Sequence, residues 1–158
     1  MNVGDEVQLV TFRIGDHEFA FSVFQVERIL RYAAPNPVPQ APDYLEGTIR
    51  YGDEVVPVVD LRKRFETEAP IGDETRVVVI ALEGGRIGVV VDAVLEVLKV
   101  SAEDVAPPPS MVQGLAAEFI SGILTRGDRT LLVLAVPKLL SSEERIALDA
   151  LTAEIAHE

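Results

Sequence analysis

The chain repeats its own apolar pattern, and this repeat constrains its possible folds more than any other feature. Shifting the sequence by 68 positions superimposes two sets of apolar residues: Phe12 on Ile80, Ile14 on Leu82, Phe19 on Ile87, Phe21 on Val89, Val23 on Val91, Val26 on Val94, Ile29 on Val97 and Leu30 on Leu98. Shifting it by 75 positions superimposes a second set: Gly47, Gly52, Asp53 and Val58 on Gly122, Gly127, Asp128 and Val133. The chain therefore consists of two copies of one unit.

Each copy carries the signals of β-strands. Short runs of Val, Ile, Leu and Phe alternate with Gly, Asp or Pro, which is typical of strands and not of helices. Four tight turns flanked by apolar runs predict four hairpins, at Gly15-Asp16, Gly52-Asp53, Gly84-Gly85 and Gly127-Asp128. A unit of two hairpins joined by a connecting segment suits a small closed barrel, which leaves few free edges. We predict an all-β protein with two barrels, and one sandwich of eight to ten strands is the alternative.

The repeat also suggests how the chain divides. We expect one domain over 6–141, with barrel-type subdomains at about 12–65 and 80–140, and an interchange of end strands between them is left open. The Pro-rich stretches 35–42 and 107–109 fall inside the units, where proline favours extended connections. We interpret them as crossings within the domain. A ligand for an SH3 or WW domain is the alternative.

The last segment has a different pattern. Ser141 with Glu144 has the form of a capping box, and neither Gly nor Pro occurs from there to residue 158. Leu148, Leu151 and Ile155 share one helical face. The pattern predicts a C-terminal helix over 142–158.

Charge and composition exclude several partners. The chain has 26 acidic and 14 basic residues, a net charge of −12, which repels phosphate backbones and anionic lipid. We therefore expect no nucleic-acid partner and no direct insertion into a membrane. There is no cysteine and no leader-like segment, and the apolar run 131–136 ends at Pro137, well short of the roughly 18 residues that span a bilayer. These features favour a cytoplasmic protein.

Side chains suited to catalysis are sparse. His17 and His157 lack the spacing of metal ligands, no serine lies in a G-x-S-x-G context, and no phosphate-binding glycine motif is present. Asp60 and Asp92 each end an apolar run, where a carboxylate that caps the next turn accounts for them without catalysis. We predict no enzymatic activity, no metal and no cofactor. An enzyme that uses acidic residues is the alternative.

The segment 47–65, with Val55-Val56-Pro57-Val58-Val59-Asp60-Leu61-Arg62, resembles the signature of the CheW family of bacterial chemotaxis coupling proteins. The resemblance extends over 10–140 and includes Gly88-Val89-Val90-Val91-Asp92 and Gly127-Asp128-Arg129. It implies two intertwined five-stranded SH3-like barrels around a shared core, without catalytic activity. It also implies a scaffold that couples the regulatory domain of a CheA-type histidine kinase to the cytoplasmic tips of methyl-accepting chemoreceptors, at membrane-associated arrays. An adaptor for another chemosensory-like pathway, controlling surface motility or gene expression, is the alternative.

The resemblance also suggests binding residues. It places receptor contacts at Val26, Arg28, Ile29, Arg50, Tyr51 and Gly52, and kinase contacts at Gly88, Val89 and Val97. Two positions depart from the family pattern: Gly52 stands where an arginine is common, and Arg28 stands where an acidic residue is common. Our hypothesis is that Arg28 or Arg50 replaces the lost guanidinium. A shorter hairpin turn without functional change is the alternative.

Overall fold

A computed structural model describes residues 5–64, 70–82, 85–107, 120–135 and 144. The described residues form eleven strands and one short helix, in the order β1 (Glu6–Ile14), β2 (His17–Ser22), β3 (Val26–Arg31), β4 (Leu45–Tyr51), β5 (Glu54–Asp60), α1 (Leu61–Arg64), β6 (Arg76–Leu82), β7 (Gly85–Val91), β8 (Ala93–Ser101), β9 (Val105–Ala106), β10 (Ile120–Arg126) and β11 (Arg129–Leu134). Single 3₁₀ turns at Val23–Gln25 and Ala102–Asp104 precede β3 and β9. The predicted C-terminal helix over 142–158 lies outside the described residues, except for Glu144, which is helical.

The strands form two sheets. Sheet A has the order β8-β1-β2-β11-β10-β9, and sheet B has the order β3-β6-β7-β5-β4. Most neighbours are antiparallel, but β11 pairs with β2, and β5 with β7, in parallel. Sheet B is built from one continuous stretch, 26–91, whereas sheet A combines the two stretches that flank it. The expected ranges 12–65 and 80–140 therefore each contribute strands to both sheets.

The sequence repeat is confirmed strand by strand. The offset of 68 carries β1, β2 and β3 onto β6, β7 and β8, and the offset of 75 carries β4 and β5 onto β10 and β11. Three of the predicted turns are present, and their glycines have positive φ: Gly15 at 61°, Gly52 at 62° and Gly127 at 58°. The fourth falls on Gly84, which lies outside the described residues, and Gly85 already belongs to β7.

Three hydrophobic clusters distinguish two barrels from one sandwich, because a sandwich has a single core between its sheets. One cluster draws on every strand of sheet A: Leu9, Ala20, Leu98, Val100, Leu124, Leu131 and Val133, with Val105 packed against them. Another draws on every strand of sheet B: Val58, Val77 and Val90, with Leu30 and Ile49 packed against them. Each sheet therefore curls around an interior of its own.

The largest cluster lies between the barrels and takes residues from both sheets: Phe12, Ile14, Phe19, Phe21, Ile120 and Leu134 from sheet A, with Leu45, Val59, Val78, Ile80, Ile87, Val89 and Val91 from sheet B. The rings of Phe12 and Phe21 stack with centroids 4.7 Å apart. The predicted pair of barrels around a shared core is confirmed. Because this core is common to both barrels, neither can lose its partner without exposing large apolar side chains.

The chain itself connects or pairs some of the outer strands. The outer strands of sheet A, β8 and β9, are separated only by the turn Ala102–Asp104. In sheet B, the segment that follows β3 reaches β4, where Asn36 and Thr48 exchange two backbone hydrogen bonds of 2.8 and 2.9 Å. Asn36 lies in the Pro-rich stretch 35–42, which thus crosses within the domain as predicted. The bridge between Asn36 and Thr48 satisfies part of the outer edge of β4, which leaves fewer free backbone groups there for aggregation.

Gly47→Ala should lower the free energy of unfolding by about 2 kcal/mol. The added Cβ would lie 2.2 Å from the Asn36 carbonyl oxygen, which the Thr48 amide holds in place. Gly122→Ala should cost less, because the clash at this equivalent position is with the movable Val105 side chain. Urea unfolding measures both, with Gly72→Ala, whose Cβ would meet nothing within 4 Å, as the control. Equal unfolding midpoints for Gly47→Ala and Gly72→Ala would contradict the account of this close approach.

Candidate partner-binding surfaces

Asp60 and Asp92, the carboxylates considered for catalysis, belong to a buried ion-pair network centred on Arg62. Arg62 donates from Nε to Asp60 Oδ1 at 2.9 Å and from a terminal nitrogen to Asp60 Oδ2 at 2.8 Å. Its other terminal nitrogen lies 3.5 Å from Asp92 Oδ1. Both carboxylates and the guanidinium are almost inaccessible to solvent. The hydrogen bonds to Asp60 raise the pKa of Arg62 above its usual value, so the guanidinium keeps its positive charge.

This network ties the two barrels together. Asp60 Oδ1 also accepts the Arg62 backbone N–H, so it caps the next turn as predicted. Asp92 does not cap its own next turn: its Oδ2 accepts the backbone N–H of Gly15 at 2.7 Å, in the β1–β2 hairpin. Asp92 lies where the chain passes from sheet B to sheet A, so its carboxylate fastens the crossing to the hairpin turn. The arrangement is structural, because each carboxylate is already engaged with the protein.

The predicted receptor-binding residues lie on the outer strands of sheet B. On β3, Arg28 and Ile29 are exposed, with Ile29 at 40%, whereas Val26 is partly buried and packs against the shared core. Three further residues lie at the end of β4 and in the turn that follows: Arg50, which is exposed, Tyr51, which is half-buried, and Gly52, which has no atom within 4 Å of an added Cβ.

Arg86, which the sequence did not single out, joins these two groups. Its guanidinium pairs with Glu27, between Val26 and Arg28 on β3, and with Glu54 at the start of β5. It also lies 5.7 Å from the ring centroid of Tyr51. The hydrogen bonds to Glu54 and Glu27 raise the pKa of Arg86 above its usual value. Arg86 therefore connects the start of β3 with the β4–β5 hairpin.

The predicted kinase-binding residues do not share one surface. Val89 is fully buried in the shared core, and Gly88 is enclosed in β7, where an added Cβ would lie 2.9 Å from Val77 Cγ1. Neither can present a side chain to a partner, because β7 is a central strand of sheet B and is covered on both faces. Val97 differs: it lies on β8 and is 57% exposed, close to the exposed Leu95.

Other features considered from the sequence carry no chemistry within the described residues. His17 is exposed beside the first turn, and the pairs Asp73-Glu74 and Glu103-Asp104 are exposed as well, whereas His157 lies outside the described residues. A search of the described part of the chain found no cluster of His, Asp or Glu that could hold a metal ion. Within the same residues, no helix has the length and apolar character needed to cross a bilayer.

The two interlocked barrels of the described residues are the fold of a class of scaffolding proteins. The CheW-like domain model matches residues 8–144. A chemotaxis protein CheW from Treponema pallidum is 37% identical over 150 residues, covering 91% of this chain and 88% of the relative. A chemotaxis protein CheW from Klebsiella aerogenes is 34% identical over 148 residues, covering 93% and 88%. The crystal structure of the scaffolding protein TtCheW from Thermoanaerobacter tengcongensis superimposes with a TM-score of 0.76 at 25% identity, covering 82% of this chain and 88% of that one.

The chain belongs to the CheW family. Members of this family are non-catalytic scaffolds that couple the kinase CheA to chemoreceptors in bacterial chemotaxis. The prediction of an adaptor that is not an enzyme is therefore confirmed.

Arg62→Met should lower the free energy of unfolding by about 3 kcal/mol, because it leaves the buried carboxylates of Asp60 and Asp92 without their shared cation. Arg13→Met is the matched control. Arg13 pairs with Glu74 at the surface, so its replacement should change stability by less than about 0.5 kcal/mol. Chemical denaturation at neutral pH measures both variants. Similar losses in the two would show that the Arg62 network does not hold the barrels together.

Proposed function

We propose that the chain uses one exposed strand on each barrel to bind its two partners separately. The observation that supports this is the placement of Ile29 and Val97. They occupy equivalent positions at the offset of 68, and each is an exposed branched apolar residue, Ile29 on β3 of sheet B and Val97 on β8 of sheet A. Exposed apolar side chains rimmed by charge are typical of interaction sites.

The neighbouring charges give the two strands different preferences. Arg28 precedes Ile29, whereas Glu96 precedes Val97, so the equivalent positions carry opposite charge. Charge of this kind selects between partners, because a misplaced like charge penalises the wrong one. One apolar anchor in two electrostatic settings would allow the barrels to recognise different proteins.

The β3–β4 surface binds the cytoplasmic tip of a methyl-accepting chemoreceptor in this proposal. Arg28 and Arg50 support it, because both are exposed and make no ion pair with any described residue. They are available to acidic side chains of a receptor helix, whereas Arg86 is already paired with two glutamates. Val26, Tyr51 and Gly52 complete the surface. Arg28 and Arg50 would thus supply the positive charge that is missing at position 52, where an arginine is common in the family and this chain has Gly52.

The β8 surface binds the regulatory domain of the CheA-type kinase, with Val97 as its apolar anchor. Gly88 and Val89 contribute only indirectly, because both lie in the buried strand β7 and Val89 belongs to the shared core. We place the protein in the cytoplasm, recruited to membrane-associated receptor arrays through these contacts and not through insertion. Repetition of modest contacts across an array supplies avidity through effective concentration.

Arg28→Glu should weaken binding of a receptor cytoplasmic tip fragment by about tenfold, because it places a like charge opposite an acidic partner. Arg50→Glu should act in the same direction. Both variants should bind the kinase regulatory domain within about twofold of the unchanged protein. Val97→Glu should weaken binding of the kinase regulatory domain and leave receptor binding nearly unchanged, because it puts a charge into an apolar contact with the kinase.

Isothermal titration calorimetry measures the affinity of the unchanged protein and of each variant for each purified partner fragment. Arg126→Glu provides the control, because it reverses an exposed arginine at the end of β10, outside both surfaces. Equal loss of both partners in Arg28→Glu would contradict two separate surfaces, and undiminished receptor binding would contradict the assignment of β3.

A further inference from the structure

The two parallel strand pairs, which we call the seams, have the same register. In seam B, Val58 of β5 lies opposite Gly88 of β7, and in seam A, Val133 of β11 lies opposite Ala20 of β2. These pairs coincide under the repeat, since the offset of 75 carries Val58 to Val133 and the offset of 68 carries Ala20 to Gly88. Each repeat has a first hairpin, β1–β2 or β6–β7, and a second hairpin, β4–β5 or β10–β11. In both seams, the second hairpin of one repeat docks on the second strand of the first hairpin of the other repeat.

Each seam carries an ion pair at equivalent positions, but the polarity is reversed. In seam B the acceptor strand β7 supplies Arg86 and the docking strand β5 supplies Glu54. In seam A the acceptor strand β2 supplies Glu18 and the docking strand β11 supplies Arg129, with Arg129 donating to Glu18 Oε2 at 2.7 Å. The hydrogen bond to Glu18 raises the pKa of Arg129 above its usual value.

Packing alone distinguishes the two docking hairpins weakly. Their inward residues correspond one to one and are all buried and aliphatic, with Leu45, Val56, Val58 and Val59 in the first and Ile120, Leu131, Val133 and Leu134 in the second. Leu45 with Ile120 and Val58 with Val133 conserve side-chain volume, whereas the other two pairs differ by one methylene each, so packing favours the observed pairing only modestly. A chain with two similar hairpins and two similar acceptor strands could therefore pair them in two ways.

We infer that the reversed ion pairs specify which hairpin docks on which strand, and so enforce the interchange between the repeats. In the observed arrangement both seams join opposite charges. If each hairpin docked on the acceptor of its own repeat, Glu54 would face Glu18 and Arg129 would face Arg86. Like charges across neighbouring strands are unfavourable, so the wrong pairing is penalised at both seams at once.

The inference is tested by changing the relation between the seams while keeping one opposite-charge pair in each seam. Because Glu96 also contacts Arg129 and Glu27 also contacts Arg86, all chains carry E27Q and E96Q. The variant E18R/R129E keeps an opposite-charge pair in seam A but gives both seams the same polarity, so the wrong pairing is no longer repulsive. Adding E54R and R86E reverses the ion pair of seam B as well. The two seams then again have opposite polarity, so the wrong pairing is again repulsive.

The absence of native cysteine allows a direct readout of the pairing. Residues 17 and 130 directly precede the partners Glu18 and Leu131 in seam A, and residue 55 is the repeat equivalent of 130. Neighbouring strands bring such positions within the reach of a disulfide. Chains carrying H17C, V55C and T130C are refolded from urea in a glutathione buffer. Peptide mapping by mass spectrometry then gives the ratio of the 17–130 bridge to the 17–55 bridge.

We expect this ratio to fall by about tenfold in E18R/R129E and to return to the starting value in the fourfold variant, since several modest charge pairs act together. Failure of E18R/R129E to fold, beside a folded fourfold variant, supports the inference equally. An unchanged ratio in E18R/R129E overturns it. Misfolding of both variants also overturns it, because the fourfold variant keeps opposite polarity in the two seams. The pairing would then depend on the charge at single sites and not on the opposite polarity of the seams.

Discussion

The parallel pairing of β2 with β11 and of β5 with β7 supports everything else in this molecule. Each seam joins a hairpin from one repeat to a hairpin from the other, so neither repeat completes a barrel by itself. The shared core then fills the space between the closed barrels with aromatic and branched side chains from both. Because the burial of this core needs both seams, stability and shape are properties of the whole chain.

Much of this fold could be predicted from the sequence, because hairpins are local. The spacing of Phe12, Phe19 and Phe21, followed by the equivalent spacing in the second unit, fixes strand positions through apolar alternation, and turn glycines mark the connections. The docking of a hairpin from one repeat on a strand of the other repeat could not be predicted in the same way. It depends on pairs such as Glu18 with Arg129, which are 111 residues apart. Their charges are visible in the repeat alignment, but sequence alone does not show which charged positions lie across from one another in space.

The binding surfaces were less accessible from sequence than the fold. A resemblance placed kinase contacts at Gly88 and Val89, yet the run from Ile87 to Val91 is continuously apolar, as in strands covered on both faces, and this signal predicts burial. Exposure of Ile29 and Val97 depends on where each barrel curls, which alternation along a single strand does not reveal. Arg86 was missed because its partners lie on two other strands.

The continuous stretch that forms sheet B has a consequence for synthesis, which proceeds from the N-terminus. All five strands of that barrel have emerged once Val91 has, whereas the β1–β2 hairpin must wait for β8 and β11 to complete its own barrel. Phe12 and Phe21 of that hairpin belong to the same core as Val78, Ile80 and Val89 of sheet B. The sheet whose strands are all synthesised first is thus the second to begin, and it carries core residues that the earliest strands pack against in the finished fold.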